Sequence, residues 1–551
     1  MDFLQTYPQV AEYVEDAKYF FMTDLGGKFE FVRERPFLEM ALLGLSGYLG
    51  YQIYKEITKP PQNPYSHGKR RWATLADARK MLDTNKMSLV VKKPTGKRIL
   101  LGKIGDEWFE ADIHACVISK NGGGKGRGVV IPNLLTYTGS VICYDTKGEN
   151  YAKTQRYRRE KGYAVYAIDP YNELLSDDEG SHFNPLDYIK IGDESGVKEA
   201  NLIAETLFPK TPGEHAFFSE GARNLITAVC MYVKVKCPPE QQNMGQVREF
   251  LTQSASEKTQ FMFEMQACDE FGGAIRRAAN TVLEMAGTPE NPKEKFDKNG
   301  NKVEGNQLDK QNETVLDLYG TVNISMKFLD DPKVVRVLSR SDMKMHMLKY
   351  IRTSIYFIIS AADYEVSTQL TKFFYTYALK KNVTPKKPLE AEEMGLEIME
   401  EPLLFLMDEF AQMKNFAIIK DLISLMRSYK IRFLTILQGK SQLDEHYKEG
   451  GAEFMTNSTK MFMGADDLST ANEISGMCGE TTIRTETIDG LTRRKTYGWQ
   501  KEWLITPGDV LGSSPLEPFV FIGDLNPLRV KQIIYYEDPY FKGKYDNYKV
   551  G

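Results

Sequence analysis

The segment that most constrains the fold is residues 118–126, where an apolar run gives way to Gly122-Gly123-Gly124-Lys125. Residues 114–118 predict a strand and residues 128–135 a helix, so the glycines lie between the two. Glycines let backbone N–H groups turn inward around a phosphate, and the lysine supplies the compensating charge. The order strand, glycine loop, lysine, helix is that of a P-loop.

Two positions depart from the P-loop pattern G-x-x-x-x-G-K-[ST]. Ser119 stands where the first glycine is expected, and Gly126 stands where the last Ser or Thr is expected. The second change removes the hydroxyl that usually contacts Mg²⁺. Taken alone, the segment fits either a phosphate loop or an ordinary glycine-rich turn.

A pair of carboxylates, Asp408 and Glu409, ends the apolar segment 402–407. A continuous apolar run is typical of a buried central strand, and catalytic acids in parallel sheets lie just beyond the carboxyl end of such a strand. Two solvated acids at a strand end are the plain alternative. Paired with Lys125, however, the acids predict an ATPase in which Asp408 holds Mg²⁺ through water and Glu409 polarises the attacking water.

With these residues in place, the chain resembles the coupling proteins of type IV secretion and conjugation systems, the TraG-like and TraD-like ring ATPases. Glycine in place of the last Ser or Thr of the loop is common in that family, so Gly126 is compatible with hydrolysis. The motifs span roughly residues 65–540. In chain order they are 121–132 (NGGGKGRGVVIP), 141–149 (VICYDTKGE), 168–170 (IDP), 183–187 (FNPLD), 406–410 (LMDEF), 437–438 (LQ), 462–465 (FMGA) and 505–510 (ITPGDV).

The resemblance implies an α/β fold: a RecA-like P-loop nucleotide-binding domain with a mostly parallel central sheet, an inserted all-α domain and an N-terminal membrane anchor. It implies ATP and Mg²⁺ as cofactors and a homo-hexameric ring at the bacterial inner membrane, with the ATPase body in the cytoplasm. The expected partners are type IV secretion channel components and a cargo, either relaxase-bound single-stranded DNA or a secreted protein. The nucleotide-binding residues would be Asn121, Gly122, Gly123, Gly124, Lys125 and Gly126.

Two further residues have candidate catalytic roles. Gln438 follows the apolar run 433–437, and its amide could sense the γ-phosphate or place water; a turn or capping residue is the plain alternative. Arg427 follows the acids on a predicted helical segment and could reach the nucleotide of an adjacent subunit as an arginine finger. Arg432 competes for that role, and a surface salt bridge is the plain alternative for either arginine.

Composition bounds the architecture and the partners. A chain of 551 residues exceeds what one hydrophobic core usually supports, so two or more domains are expected. The net charge is only −4, from 71 basic and 75 acidic residues, which excludes the global electrostatic footprint of a nucleic-acid binder. DNA contact must therefore be local. The six cysteines show no C-x-x-C spacing, which fits a reducing compartment.

Patterning divides the chain into four segments. Helical periodicity dominates between about 190 and 345, whereas apolar strand candidates alternate with helical segments elsewhere, as in a mostly parallel sheet. The predicted strands are 113–118, 141–145, 164–168, 355–360, 403–407, 432–437, 460–464, 519–523 and 532–536. The predicted segments are 1–64 (N-terminal anchor and Pro-rich linker), 65–189 (nucleotide-binding domain, first part), 190–345 (inserted all-α domain) and 346–551 (nucleotide-binding domain, second part).

The anchor prediction rests on residues 37–54, in which Glu39 and Gln52 are the strongly polar residues. This length is near the lower limit for a spanning helix, and a buried or interfacial helix is the alternative. Consecutive prolines at 60 and 61 make the following linker stiff, because they cannot continue a helix.

Two other functions stay open from the sequence. One is a membrane docking receptor that recruits cargo and uses nucleotide for assembly without hydrolysis. The other is a double-stranded DNA pump of the chromosome-segregation type, which predicts stimulation by duplex DNA and a C-terminal DNA-reading module, for which the eleven residues after Tyr540 are too few.

Overall fold

The computed structural model describes residues 69–81, 88–193, 195–209, 216–286, 313–360, 363–413, 423, 425–488 and 495–548. The predicted anchor helix near 37–54 lies outside these ranges. Among the helices within them, none combines the length and the apolarity needed to cross a membrane.

The strands of these ranges form three sheets, of three, nine and two strands. In chain order the strands are β1 (Val90–Val91), β2 (Ile99–Ile104), β3 (Glu107–Ala111), β4 (His114–Ser119), β5 (Val141–Asp145), β6 (Ala164–Ile168), β7 (Thr353–Ile358), β8 (Leu403–Met407), β9 (Ile431–Leu437), β10 (Ser458–Met463), β11 (Glu480–Ile488), β12 (Lys495–Trp503), β13 (Phe519–Phe521) and β14 (Leu528–Arg529).

The helices in chain order are α1 (Leu75–Lys80), α2 (Ile131–Thr136), α3 (Glu149–Glu160), α4 (Gly196–Leu207), α5 (Ala216–Lys236), α6 (Met244–Thr252), α7 (Ala255–Gln266), α8 (Glu270–Ala286), α9 (Glu313–Ser325), α10 (Pro332–Val337), α11 (Tyr364–Asn382), α12 (Leu389–Glu393), α13 (Lys440–Thr456), α14 (Leu468–Cys478) and α15 (Pro507–Leu511). One π-helical turn, Gly126–Val130, precedes α2.

The nine-stranded sheet is the framework of the site, and its strand order is β14-β13-β10-β4-β9-β8-β5-β7-β6. Strands β10 through β6 run parallel, and β13 and β14 add an antiparallel edge beside β10. Strands β4, β5, β7 and β8 are buried along their whole length, as their continuous apolar runs require. The predicted α/β fold with a mostly parallel central sheet is confirmed.

Between β6 and β7 the described elements are all helical, from a short 3₁₀ turn at Pro185–Tyr188 to another at Met345–Met347. Helix α5 packs against α4, α8 and α9, and its buried face includes Leu225, Val229 and Val233. The spacing of four residues between these side chains places them on one helical face.

Several features differ from the predicted strands. The segment 532–536 is not a strand, and the last strand of the sheet is β14, which ends before it. The antiparallel sheet β1-β3-β2 has no counterpart among the predicted strands. A further hairpin, β11-β12, forms a compact unit of its own together with Lys69, which bridges to Thr481.

Candidate nucleotide-binding site

The phosphate loop, residues 119–126, connects β4 to the helical turn before α2. Gly122 and Gly124 adopt φ values of +68° and +88°, a backbone conformation that favours glycine. The N–H of Gly123 donates to the Lys120 carbonyl at 2.9 Å, which closes a tight turn. The loop therefore leads into the amino end of a helix, where backbone N–H groups attract an anion.

Two of the loop glycines have no room for a side chain, whereas two others do. A Cβ atom added to Gly123 would lie 2.5 Å from Ser119 Oγ, and one added to Gly124 would lie 2.5 Å from Arg127 Nε. No atom would lie within 4 Å of a Cβ on Gly122 or Gly126. The missing hydroxyl at position 126 is thus not a consequence of crowding.

Lys125 meets the two acids directly. Its Nζ donates to the Asp408 carbonyl oxygen at 2.8 Å and to Glu409 Oε2 at 2.8 Å, and it lies 3.4 Å from Asp408 Oδ1. All three side chains are mostly buried, with 29%, 14% and 10% of the Lys125, Asp408 and Glu409 side chains exposed. One ammonium faces two carboxylates across a single cleft.

The sheet order explains this meeting. Strand β9 lies between β4 and β8, so the phosphate loop, Gln438 and the acids all follow the carboxyl ends of neighbouring parallel strands. Gln438 Nε2 donates to Glu409 Oε2 at 3.1 Å, although the residue is largely exposed. The structure therefore places the Gln438 amide beside Glu409, a contact that the sequence does not predict.

Two carboxylate oxygens of the cleft are buried without a hydrogen bond from the described residues: Asp408 Oδ1 and Glu409 Oε1. Asn150, at the start of α3, donates weakly to Asp408 Oδ2 at 3.4 Å. Unsatisfied buried oxygens are costly unless a ligand or water completes them. Hard oxygen ligands of this kind suit Mg²⁺, so the residues present fit the predicted metal.

Burial and neighbouring charges shift the pKa values of the ionisable groups at the cleft. Burial would lower the pKa of Lys125, but the carboxylates of Asp408 and Glu409 outweigh burial and raise that pKa. Burial raises the pKa of Asp408, and the Lys125 ammonium opposes this. Burial, with Asp408 nearby, also raises the pKa of Asp145 to about 7. Lys125 therefore keeps its proton across the neutral range.

Arg427 does not lie at the phosphate loop of its own chain. It is in a 3₁₀ turn before the amino end of β9, with half of its side chain exposed and its Nη2 3.8 Å from Asp112 Oδ2. Arg432 is mostly buried and donates to Asp112 Oδ1 at 2.6 Å and to the Lys97 carbonyl at 2.9 Å. The structure thus gives Arg432 a structural role. It places Arg427 at the amino ends of the parallel strands, opposite the ends that carry the phosphate loop.

Asn121, also in the loop, is exposed, and its backbone N–H donates to Asp466 Oδ2 at 2.9 Å.

Two residues that contact the site are not predicted by the sequence analysis. Asn150 opens the helix after β5, and its position beyond a parallel strand end was a usable signal. Gln532 donates to the carbonyls of Gly123 and Gly124, and nothing in the apolar run that it begins indicates this contact.

Residues 71–550 match the sequence profile of the family described as type IV secretory system conjugative DNA transfer. The chain belongs to this family. The resemblance to coupling proteins, drawn from the ordered motifs, is confirmed by this match, which covers most of the chain.

Curated relatives include members of the family from two kinds of bacteria. Protein VirD4 of Rhizobium rhizogenes is 26% identical over 492 residues, which cover 87% of this chain and 66% of that protein. Conjugal transfer protein TraG of Escherichia coli is 23% identical over 554 residues, covering 91% of this chain and 82% of that protein. The chain thus spans about two thirds of the length of VirD4.

Among solved structures, the unbound bacterial conjugative coupling protein TrwBdeltaN70 is similar, with a TM-score of 0.57 at 13% identity. The match covers 86% of this chain and 97% of that one. TrwB in complex with ADP and Mg²⁺ matches with a TM-score of 0.56 at 14% identity. At this level of identity the likeness shows a shared fold.

Proposed function

We propose that this protein is a coupling ATPase of a type IV secretion or conjugation system, which delivers its cargo to the secretion channel at the expense of ATP. The observation that carries the proposal is the contact of Lys125 Nζ with both the Asp408 carbonyl and Glu409 Oε2 at 2.8 Å. A lysine from the glycine loop after β4 and two acids that follow β8, the next strand but one, are the parts that phosphoryl transfer needs.

The phosphate loop would hold the nucleotide. Gly122, Gly123 and Gly124 would surround the β- and γ-phosphates, with the Gly123 N–H closing the turn on the Lys120 carbonyl. Asn121 and Gly126 would border the phosphates at either end. The Lys125 ammonium, which now bridges the acids, would turn to the phosphate oxygens and leave the carboxylates for their own ligands.

The acids would divide the chemistry. Asp408 would hold Mg²⁺ through its water shell, and that ion, when bound, would neutralise charge on the phosphates. Glu409 would accept the proton of the attacking water, and Gln438, hydrogen-bonded to Glu409 Oε2 at 3.1 Å, would orient the carboxylate or the water. Its role would be to fix the direction from which water approaches.

The assembly would be a homo-hexameric ring at the bacterial inner membrane, with the ATPase body in the cytoplasm. Arg427 would act on the nucleotide of a neighbouring subunit, since half of its side chain is exposed and its Nη2 lies as far as 3.8 Å from Asp112 Oδ2. The cargo would be relaxase-bound single-stranded DNA or a secreted protein. TrwB has been solved with ADPNP and with ADP and Mg²⁺, which supports the same cofactors here.

The substitution Glu409→Gln tests the proposal, because it keeps the side chain's size and removes the base. We expect the variant to bind ADPNP while ATP turnover falls by about 10²–10⁴-fold, the usual contribution of a general base. DNA or protein transfer by the cells that carry it should fall with turnover. Turnover is measured as phosphate release by the purified full-length chain, with and without single-stranded DNA.

Two controls make the result specific. Lys125→Ala should lose nucleotide binding. Glu401→Gln makes the same change in another buried carboxylate, at the opposite end of β8, where Thr138 Oγ1 donates to it at 3.0 Å; turnover should be retained. If Glu409→Gln abolishes turnover but leaves transfer intact, the protein is a docking receptor and hydrolysis does not drive delivery.

A further inference from the structure

Gln532 reaches the phosphate loop from 409 positions further along the chain. Its side chain is 4% exposed, and its Nε2 donates to the carbonyl oxygens of Gly123 at 3.0 Å and Gly124 at 3.1 Å. These contacts fix the orientation of the amide, because the reverse orientation would set its oxygen against two carbonyl oxygens. Both hydrogens of the amide nitrogen are thus committed to the loop.

These two bonds, together with the Gly128 N–H that also donates to the Gly124 carbonyl at 2.8 Å, determine where the loop's own donors point. In a trans peptide the C=O of one residue and the N–H of the next point in opposite directions. Holding the carbonyls of Gly123 and Gly124 on the Gln532 side therefore turns the N–H groups of Gly124 and Lys125 to the other side. We propose that Gln532 is a positioning residue that presets these two N–H groups for phosphate.

The backbone of Gln532 is itself held from two directions. Its N–H donates to the Leu516 carbonyl at 2.8 Å. The preceding residue, Lys531, exchanges two hydrogen bonds with Lys103 of β2, at 2.7 and 2.9 Å. An amide on a fixed backbone, in a buried position, orients its partners without the entropy cost of ordering a free side chain.

Glycines make the room that this amide occupies. A Cβ atom on Gly128 would lie 2.6 Å from Gln532 Nε2, and one on Gly124 would lie 2.7 Å from it. Gly128 is helical and has no positive φ, so space for Gln532 is the reason for a glycine there. The three atoms nearest to a Cβ on Gly128 all belong to the Gln532 side chain.

The proposal rests on the nucleotide-binding function proposed above, and ADPNP affinity of the full-length chain tests it. We expect Gln532→Ala to weaken ADPNP binding by about tenfold, through loss of a preset cradle. The KM for ATP should rise by a similar factor and kcat should change less, because the Gln532 amide contacts the phosphate loop whereas Asp408 and Glu409 follow β8. Gln242→Ala is the matched control, since Gln242 Nε2 also donates to two carbonyls, Lys234 at 3.2 Å and Cys237 at 2.9 Å.

A double-mutant cycle separates positioning from general destabilisation. Gly128→Ala should weaken ADPNP binding in the wild-type background, where its Cβ displaces the amide. In the Gln532→Ala background the same change should have no further effect, because the atoms that it meets are gone. Equal effects in both backgrounds would overturn the proposal, and so would wild-type affinity in Gln532→Ala.

The outcomes distinguish this proposal from the function on which it rests. If the wild-type chain binds no ADPNP, and Lys125→Ala behaves identically, both fail. If the wild type binds ADPNP and Lys125→Ala does not, the nucleotide site stands, and the Gln532 variants alone decide the positioning role. Equal losses of melting temperature and of affinity in Gln532→Ala and Gln242→Ala would reduce Gln532 to a structural residue.

Discussion

At the scale of single residues, some glycines of the phosphate loop are required because a Cβ atom would not fit, and others are not. Gly123 and Gly124 are crowded by side chains and carbonyls, whereas a Cβ on Gly126 would have no atom within 4 Å. Gly126 also lies outside the left-handed region of φ. The position at which other P-loops carry a metal-contacting hydroxyl is therefore open to a larger residue.

Gly126→Ser should restore that hydroxyl without disturbing the loop. We expect the Mg²⁺ concentration needed for half-maximal ADPNP binding to fall, by up to about tenfold, the factor that corresponds to roughly 1.4 kcal/mol. The melting temperature without nucleotide should be unchanged. Titrations of ADPNP at a series of Mg²⁺ concentrations measure the effect.

Gly123→Ser provides the control, since it adds the same side chain at a crowded position, 2.9 Å from the Lys120 carbonyl. It should weaken ADPNP binding at every Mg²⁺ concentration. A Gly126→Ser chain whose Mg²⁺ requirement equals that of the wild type would show that the metal does not approach this position.

Much of the candidate site was predictable from the sequence because its residues follow apolar runs. Lys125, Asp408 and Glu409 each stand at or soon after the carboxyl end of a strand that its own composition predicts. Gln532 could not be found in this way, because its contact depends on where a distant segment packs. The predicted arginine-finger role of Arg427 cannot be tested within one chain, because that role belongs to an interface between two subunits.

At the scale of elements, the helix that follows the phosphate loop is secured at its far end by one buried guanidinium. Arg158 of α3 is 2% exposed and donates to the carbonyls of Leu134, Tyr137 and Gly139, at 3.2, 2.5 and 3.1 Å. Its Nε donates to Ser354 Oγ of β7 at 2.7 Å. One side chain thus ties the end of α2 to the sheet.

Arg158→Met should destabilise the fold by about 3 kcal/mol or more, because it leaves several buried carbonyls without a donor. Chemical denaturation of the purified chain measures this loss. Arg159→Met is the matched control, in the same helix but exposed, and should change the free energy of unfolding by no more than about 0.5 kcal/mol. Equal effects of the two substitutions would contradict the role given to Arg158.

The sequence predicts the buried parallel strands well and the other strands poorly. Strands β5, β6 and β8 coincide with predicted segments, because each is a short apolar run with clear ends. The strands β1 to β3 are short or mixed in polarity, so the local sequence pattern does not predict them. They are stabilised by pairing with one another, with a bulge between Leu100 and Gly102. Residues 532–536 are apolar because Ile533 and Tyr535 pack in a core, not because they pair in a sheet.

At the scale of the whole molecule, the proposed ring makes each site depend on two chains. Lys125→Ala and Arg427→Ala should each abolish turnover when tested alone. In randomly mixed rings about a quarter of the interfaces would join an intact lysine to an intact arginine, so activity should return in part. Phosphate release by the mixed, reassembled variants measures this recovery.

A mixture of Lys125→Ala with Glu409→Gln is the control, because both residues belong to the same site of one chain and mixing cannot restore it. Should the first mixture stay as inactive as the second, Arg427 does not act across an interface. Arg432, which is bound to Asp112 at 2.6 Å, would not replace it without loss of that ion pair.

The contact between Gln532 and Gly123 also has a consequence for synthesis of the chain. A ribosome that adds about 5–20 residues per second needs about 20–80 seconds to cover the 409 positions that separate them. During that interval the nascent glycine turn has no amide to hold its carbonyls. We therefore expect a newly made subunit to bind nucleotide with full affinity only after Gln532 has been synthesised, too late for ATP to assist the folding of the residues made before it.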